Sequence, residues 1–410
     1  MTMITNLQVA AIEHDLAARK PGHSLPGSLY CDPASFQFDL DAIFYSQWLF
    51  AGLEAEISRP GDYFTLEIGP SSVIVLRDKA GKIRAFHNSC RHRGSRICTP
   101  GRGRSSSLVC PYHHWTYGLD GSLVQARLMP AEFDKSQHGL KPVKIERMSG
   151  ILYICLSDDP PNFSDYRAKA EPLLAPHNLA EAKVAAQTTI MEQGNWKLVM
   201  ENSRECYHCK ACHPELMTSL LDFYDLDSSE TKAFWSASEA KGLKNGPVYL
   251  PGGRVVRLPL APGAVSVTMD GKPAVAKLLG DTPDDDIGSL RVQWSPNSFC
   301  HIFGDYAFFF RLLPRGPLET EVTSTFLVHK DAVEGVDYDV DKLTSAWIVT
   351  NDQDRGLVEV NQLGVNSVGY QPGPYNPTTE PGVLSFVDWY VQAATGYILR
   401  NGFALAKAAE

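Results

Sequence analysis

The sequence predicts an α+β fold in two parts, on three observations. Residues 61–156 are β-rich, with apolar runs separated by Gly and Asp turns. Asp158-Asp-Pro-Pro-Asn162 then breaks the pattern. Beyond the break, strand-like runs alternate with long helical stretches, as expected for a central antiparallel sheet covered by helices. The expected domains are 41–157, and 1–40 together with 158–410.

In the first 40 residues, Pro21, Pro26 and Pro33 break any long element. Ile43, Phe44, Trp48, Leu49 and Phe50 mark a short helix running into a strand. Strands follow at 63–68, 72–76 and 150–156. After the break, 183–191 reads as a strand, 195–222 as a helical stretch and 241–288 as a Gly/Pro-rich irregular segment. Strands return at 291–300, 306–313 and 321–330, and helices cover 337–363 and 383–401. There is no internal repeat and no low-complexity tract.

With 410 residues, 44% hydrophobic and 21% charged, the chain reads as a soluble globular protein with a large core. A net charge of −9 disfavours nucleic acid as a partner. No apolar run reaches the roughly 18 residues of a membrane span. Residues 1–7 lack the features of a signal peptide, and the Met-Thr-Met-Ile-Thr opening looks like an expression-vector leader. The expected location is a reducing cytoplasm, with the nine Cys not forming a disulfide framework.

Two motifs carry the chemistry of the β-rich part: Cys90-Arg-His92 and Cys110-Pro-Tyr-His113, separated by seventeen residues. Two Cys and two His can hold tetrahedral zinc, or a two-iron, two-sulfur cluster with two His on one iron. A zinc finger pairs Cys with Cys and His with His. Here each loop is mixed and can give one ligand to either iron. The pattern resembles the Rieske iron–sulfur motif, C-x-H…C-x2-H. His114 breaks the register and is not expected to be a ligand.

The second constellation lies between Asn195 and Pro214. Glu201, Glu205 and His208 fall at i, i+4 and i+7, one face of a helix. His213 lies about 140° round an ideal helix from His208. Both imidazoles reach one metal only if the helix bends or ends between them, and Pro214 fits an ending. Two His and a remote carboxylate make the facial triad of non-haem Fe(II) oxygenases. Cys206, Cys209 and Cys212, spaced C-x2-C-x2-C, read as small packing residues.

Taken together, the two motifs make the chain resemble the catalytic α-subunit of Rieske non-haem iron oxygenases. That resemblance implies a β-rich Rieske domain plus a helix-grip-type catalytic domain. It implies a [2Fe–2S] cluster on Cys90, His92, Cys110 and His113. It also implies a mononuclear Fe(II) on His208, His213 and a late-helix Asp, with O2 as co-substrate. The family has N-W-K followed by D/E-x2-H-x4-H, matched from Asn195 to His213, and an Asp followed five residues on by a carboxylate. Asp354 with Glu359 fits, and Asp352 is the near alternative. Relatives are cyclic trimers in which a carboxylate bridges the two centres between subunits, a position held here by Glu205. Glu in place of Asp there resembles the branch that oxidises quaternary ammonium compounds.

The branch implies a monooxygenase that N-demethylates a betaine: glycine betaine or proline betaine first, then carnitine or choline. The alternative is an aromatic-ring dioxygenase or O-demethylase. A quaternary nitrogen is best held by aromatic faces; the candidates are Phe303, Tyr306, Phe308, Phe310 and Trp235. No G-x-G-x-x-G opens a helix after a strand, so NAD(P)H and flavin are expected on a separate reductase. Between residues 85 and 119 there is no Asp or Glu but five Arg: Arg91, Arg93, Arg96, Arg102 and Arg104. This basic island either steers an acidic electron donor or serves local hydrogen bonds.

Overall fold

A computed structural model describes residues 4–282 and 284–402; the leader-like Met1 to Met3 lie outside them. The chain divides into two units. One spans Phe44–Pro161; the other takes up the chain before it, to Ile43, and after it, from Asn162.

The first unit is built of short antiparallel strands: β1 (Leu49–Leu53), β2 (Asp62–Ile68), β3 (Ser71–Arg77), β4 (Ile83–His87), β5 (Arg102–Arg104), β6 (Leu108–Val109), β7 (Thr116–Tyr117), β8 (Leu123–Gln125), β9 (Lys144–Met148) and β10 (Ile151–Cys155). They form three sheets, in the orders β4-β3-β2-β5, β6-β7-β8 and β1-β10-β9. In β2 buried and half-buried residues alternate, the period-two signature of a strand with one face on a core. The Cys/His loops join β4 to β5 and β6 to β7. Cys90 and Cys110 sit in one apolar cluster with Ile74, Phe86, Leu108 and Trp115.

In the second unit come α1 (Asn6–Ala18), α2 (Ser28–Cys31), α3 (Pro33–Asp39), α4 (Ser164–Leu174), α5 (Trp196–Asn202), α6 (Cys209–Cys212), α7 (Ser229–Ala240), α8 (Val340–Val365) and α9 (Pro381–Arg400). Its strands are β11 (Lys183–Glu192), β12 (Val248–Leu250), β13 (Gly253–Leu258), β14 (Ser289–Trp294), β15 (Ser298–Ile302), β16 (Tyr306–Gly316) and β17 (Glu319–Val328). They form one antiparallel sheet in the order β11-β17-β16-β15-β14-β13-β12. The long α8 packs on α5 and β11. Trp347 stacks flat on Phe308 of β16, ring centres 4.0 Å apart. No described helix is long and apolar enough to cross a membrane.

The structure departs from the sequence reading in four places. Pro33 starts α3 rather than breaking a helix, because the first turn needs no amide donor. The run 291–300 is a hairpin, β14 and β15 turning at Ser295–Asn297. The Gly/Pro-rich segment contains β12 and β13. The stretch 195–222 is not one helix: α5 ends at Asn202, with Ser203 Oγ donating back to the Met200 carbonyl at 2.9 Å. Gly382 of α9 fits tightly against this end, where a Cβ would collide with the Arg204 carbonyl.

The N-W-K segment anchors α5 through Asp39. The Trp196 indole donates to Asp39 Oδ2 at 2.9 Å and the Tyr390 hydroxyl to Oδ1 at 2.8 Å, while the Lys197 ammonium pairs with Oδ2. Lys197 and Asp39 are both fully buried, so removing either would strand a charge in the core.

Candidate metal centres

The two loops of the first unit are copies of one hydrogen-bond pattern. The Cys90 amide donates to Ser95 O at 2.9 Å and the Gly94 amide returns to Cys90 O at 2.9 Å. The Cys110 amide donates to Trp115 O at 2.9 Å and the His114 amide returns to Cys110 O at 3.0 Å. Each loop thereby buries its cysteine and leaves its histidine exposed at the tip. The rings of His92 and His113 meet with centres 4.6 Å apart, and His92 stacks on Trp115 at 4.8 Å. Two buried thiols and two adjoining imidazoles on rigid loops fit a [2Fe–2S] cluster with His on its outer iron.

Sequence reasoning missed the groups that brace these loops. Asn88 is buried; its Oδ1 accepts from the amides of Ile97 and Cys98 at 2.9 and 3.0 Å, and its Nδ2 donates to Cys98 O at 2.8 Å. The Tyr117 hydroxyl stands 3.2 Å from Cys90 Sγ and accepts from the Arg91 amide at 3.0 Å. The basic island is largely neutralised from outside itself: Arg96 pairs with Glu67, Arg102 with Glu56 and Arg104 with Asp62. Arg93 lies over the Tyr112 ring, and Arg91 is exposed.

The second centre forms where α5 has ended. His208 and His213 flank the short α6, and Asp354 reaches them from α8. Nε2 of His208 lies 3.2 Å from Asp354 Oδ1, and Nε2 of His213 lies 3.0 Å from the same oxygen. Donors about 2.1 Å from a shared ion, at right angles, stand about 3 Å apart, so these three fit a facial triad. Each Nδ1 is taken by an acceptor: Glu205 Oε1 at 2.5 Å for His208, and Gln353 Oε1 at 2.7 Å for His213. Gln353 is held in turn by Glu215, at 3.0 Å. An acceptor at Nδ1 places the proton there and leaves the Nε2 lone pair for a metal. Burial disfavours a charged His208, but Asp354 and Glu205 outweigh it and push its pKa up to about 10. Metal binding must therefore displace protons.

Other residues fall elsewhere than their spacing indicated. Glu201 accepts from the hydroxyls of Tyr30 and Tyr375, at 2.7 and 2.8 Å, and burial pushes its carboxyl up to about 7. It does not share a helix face with Glu205 and His208. Asp352 pairs with Arg355 on the exposed side of α8. Cys206 and Cys209 are not separate packing thiols. They form a disulfide, their Cα atoms brought to 4.9 Å where the helix has broken, while seven other cysteines are free. Cys209 lies near both imidazoles, but its sulfur is not available as a thiolate.

A cavity of about 150 Å3 opens beside His208, His213 and Asp354. None of the five aromatic candidates lines it; its walls include Phe299, Trp347 and Tyr224. Phe308 is one layer back, behind Trp347, and the Tyr306 hydroxyl accepts from the Trp347 indole at 2.7 Å. Trp347, Thr350 and Asp354 follow i, i+3, i+7 on α8, a signal readable once Asp354 is chosen.

The chain matches the ring hydroxylating alpha subunit (catalytic domain) family over residues 179–396 and the Rieske [2Fe–2S] domain family over 47–142. It is 47% identical over 388 residues to the glycine betaine monooxygenase oxygenase subunit of Chromohalobacter salexigens, covering 92% of this chain and 86% of that protein. To the subunit of the same description from Pseudomonas aeruginosa it is 46% identical over 393 residues, covering 92% and 90%. The solved structure of the quaternary ammonium Rieske monooxygenase CntA with L-carnitine shares the fold, with a TM-score of 0.71 at 22% identity over 93% of this chain and 98% of that one. By fold, loop pattern and identity through both domains, this chain belongs to the Rieske non-haem iron oxygenases, as a monooxygenase-type oxygenase subunit.

Proposed function

We propose that this chain N-demethylates a small betaine, with glycine betaine or proline betaine as substrate. The observation that carries the reading is 46–47% identity, through both domains, to two glycine betaine monooxygenase subunits. The reaction consumes the betaine, O2, two electrons and two protons. It yields the protonated tertiary amine one methyl shorter, formaldehyde and water.

Cys90, His92, Cys110 and His113 hold the cluster, and His208, His213 and Asp354 hold Fe(II). When bound, these groups supply single-electron transfer and O2 activation. The protein's own work is orientation. Glu205 and Gln353 fix the two imidazoles, Trp347 and Phe299 present aromatic faces to the cationic nitrogen, and the cavity admits only a small substrate.

The subunit assembles as a homotrimer in the cytoplasm. Glu205 bridges His208 to a cluster histidine, His113, of a neighbouring subunit, and a separate reductase carries NAD(P)H and flavin. Residues 41–157 form the electron-carrying domain, and 1–40 with 158–410 the catalytic one. Formaldehyde release across a betaine panel, with a surrogate reductase supplying electrons, tests the reading. Release from no betaine would reject it.

A further inference from the structure

Three guanidinium groups that line the cavity beside His208 and Asp354 meet no carboxylate among the described residues. They are Arg204, Arg254 and Arg291. Other arginines of the fold are met: Arg19 by Asp388, Arg84 by Asp78 and Arg315 by Glu321, while buried Arg257 donates to the carbonyls of Lys244 and Ile287 and to His177. Among the described residues no carboxylate comes within ion-pair distance of the cavity trio. Arg204 is 97% buried, being 3% exposed. Its Nε and Nη1 are buried without a hydrogen-bond partner, and Nη2 makes one long contact, 3.4 Å, with Ser295 Oγ. Arg291 donates through Nη2 to the Tyr224 hydroxyl at 2.6 Å and lies over that ring, but its Nε is buried and unmet. Like charges with orphaned donors are costly in a protein interior unless an anion arrives.

Strand register gives the cavity a polarity. Arg254 on β13 opposes Gln293 on β14; Gln293 opposes Phe299, and Arg291 opposes His301, both on β15. Directly opposed residues share a sheet face. One face therefore runs from arginines at β13 and β14 to aromatic rings at β15, where His301 lies 5.1 Å from Trp347 on the helix that bears Asp354. The cavity carboxylates do not cancel the trio: Glu205 and Asp354 bind His208, and Asp222 is exposed at the rim.

We propose that Arg291, with Arg254 and Arg204 behind it, is the carboxylate subsite of the substrate. It seats a zwitterion with its anion among the guanidiniums and its methylammonium toward Trp347, beside the iron ligands. The proposal rests on the betaine reading and deepens it: the selected feature is the carboxylate, not the quaternary nitrogen alone. The subsite also disfavours a neutral aromatic ring, which would leave the three cations unmet.

The test compares glycine betaine with choline, which has a hydroxyl in place of the carboxylate. Binding to the metal-loaded protein is measured by calorimetry, so turnover is not required. Wild type should prefer glycine betaine. Arg291→Met and Arg254→Met should each weaken its binding roughly 10- to 100-fold, the loss of a charge-assisted hydrogen bond, and barely change choline. Arg291→Lys should restore part of the preference. Visible absorbance and iron content should match wild type in every variant, which separates recognition from misfolding. A wild-type protein without preference, or variants that keep the wild-type ratio, would overturn the subsite. Absence of formaldehyde from every betaine would instead reject the demethylase reading, while the binding ratio still decides the subsite.

Discussion

Gly94 and His114 occupy the same place in two loops. Both have positive φ, +78° and +57°, and each amide closes its loop on the carbonyl of Cys90 or Cys110. A histidine in the left-handed region costs about 1 kcal/mol relative to glycine. His114→Gly should therefore keep the cluster's visible absorbance and gain up to about 1 kcal/mol in stability. His113→Ala should lose the absorbance. Bleaching of the His114 variant would make His114 a ligand and put the register wrong by one.

Asp354→Ala should leave the Rieske spectrum intact and abolish product formation, because both imidazole Nε2 atoms converge on that carboxylate. Asp352→Ala should be nearly silent, since Asp352 has only an exposed ion pair with Arg355 to lose. Iron analysis with a product assay reads both; the opposite pattern would move the ligand by two residues.

Glu205→Gln should retain both metals and normal cluster reduction. Glu205 Oε1 holds His208 Nδ1 at 2.5 Å, and Oε2 accepts from the Tyr207 amide. Loss of the charge should slow reoxidation of the reduced cluster by roughly 10- to 100-fold with substrate and O2 present. Stopped-flow absorbance in a single turnover measures it. Wild-type rates would leave Glu205 as a support for the loop and remove it from the electron path.

Glu201 predicts a pH dependence of stability. Burial raises its carboxyl from 4.5 to about 7, so the folded state holds a proton that the unfolded chain has lost. That contribution is fully present below pH 4.5 and falls away as pH rises to about 7, on the order of 3 kcal/mol in all. Glu201→Gln should flatten this part of the profile, read as denaturant midpoints at pH 5 and pH 8. Parallel profiles for the two proteins would reject the assignment.

Much of this protein is legible in one dimension because its chemistry is local. A cluster needs a thiol and an imidazole within a few residues on each of two loops, and Cys90-x-His92 and Cys110-x2-His113 state that requirement directly. The strand β2 shows its alternation, and α8 and α9 show their lengths, because these periods are properties of the backbone. The end of α5 was not legible: the spacing of Glu201, Glu205 and His208 continues a helix, while the chain leaves it at Ser203 and Gly382 packs against the Arg204 carbonyl just beyond. Nor was the bonding of Cys206 to Cys209, which depends on the chain leaving the helix there.

By itself the sequence determined the residue types, the spacing of the loops and the long elements such as β2, α8 and α9. Tertiary structure decided which distant groups meet. Asp354 reaches His213 across 141 residues only because α8 is pressed on α5 and β11. Strand pairing puts Arg254, Arg291 and Phe299 on one wall, and the packing of α8 covers Phe308 with Trp347. The physical reason is that a strand's period says that two faces exist, while pairing and packing decide which face meets the cavity.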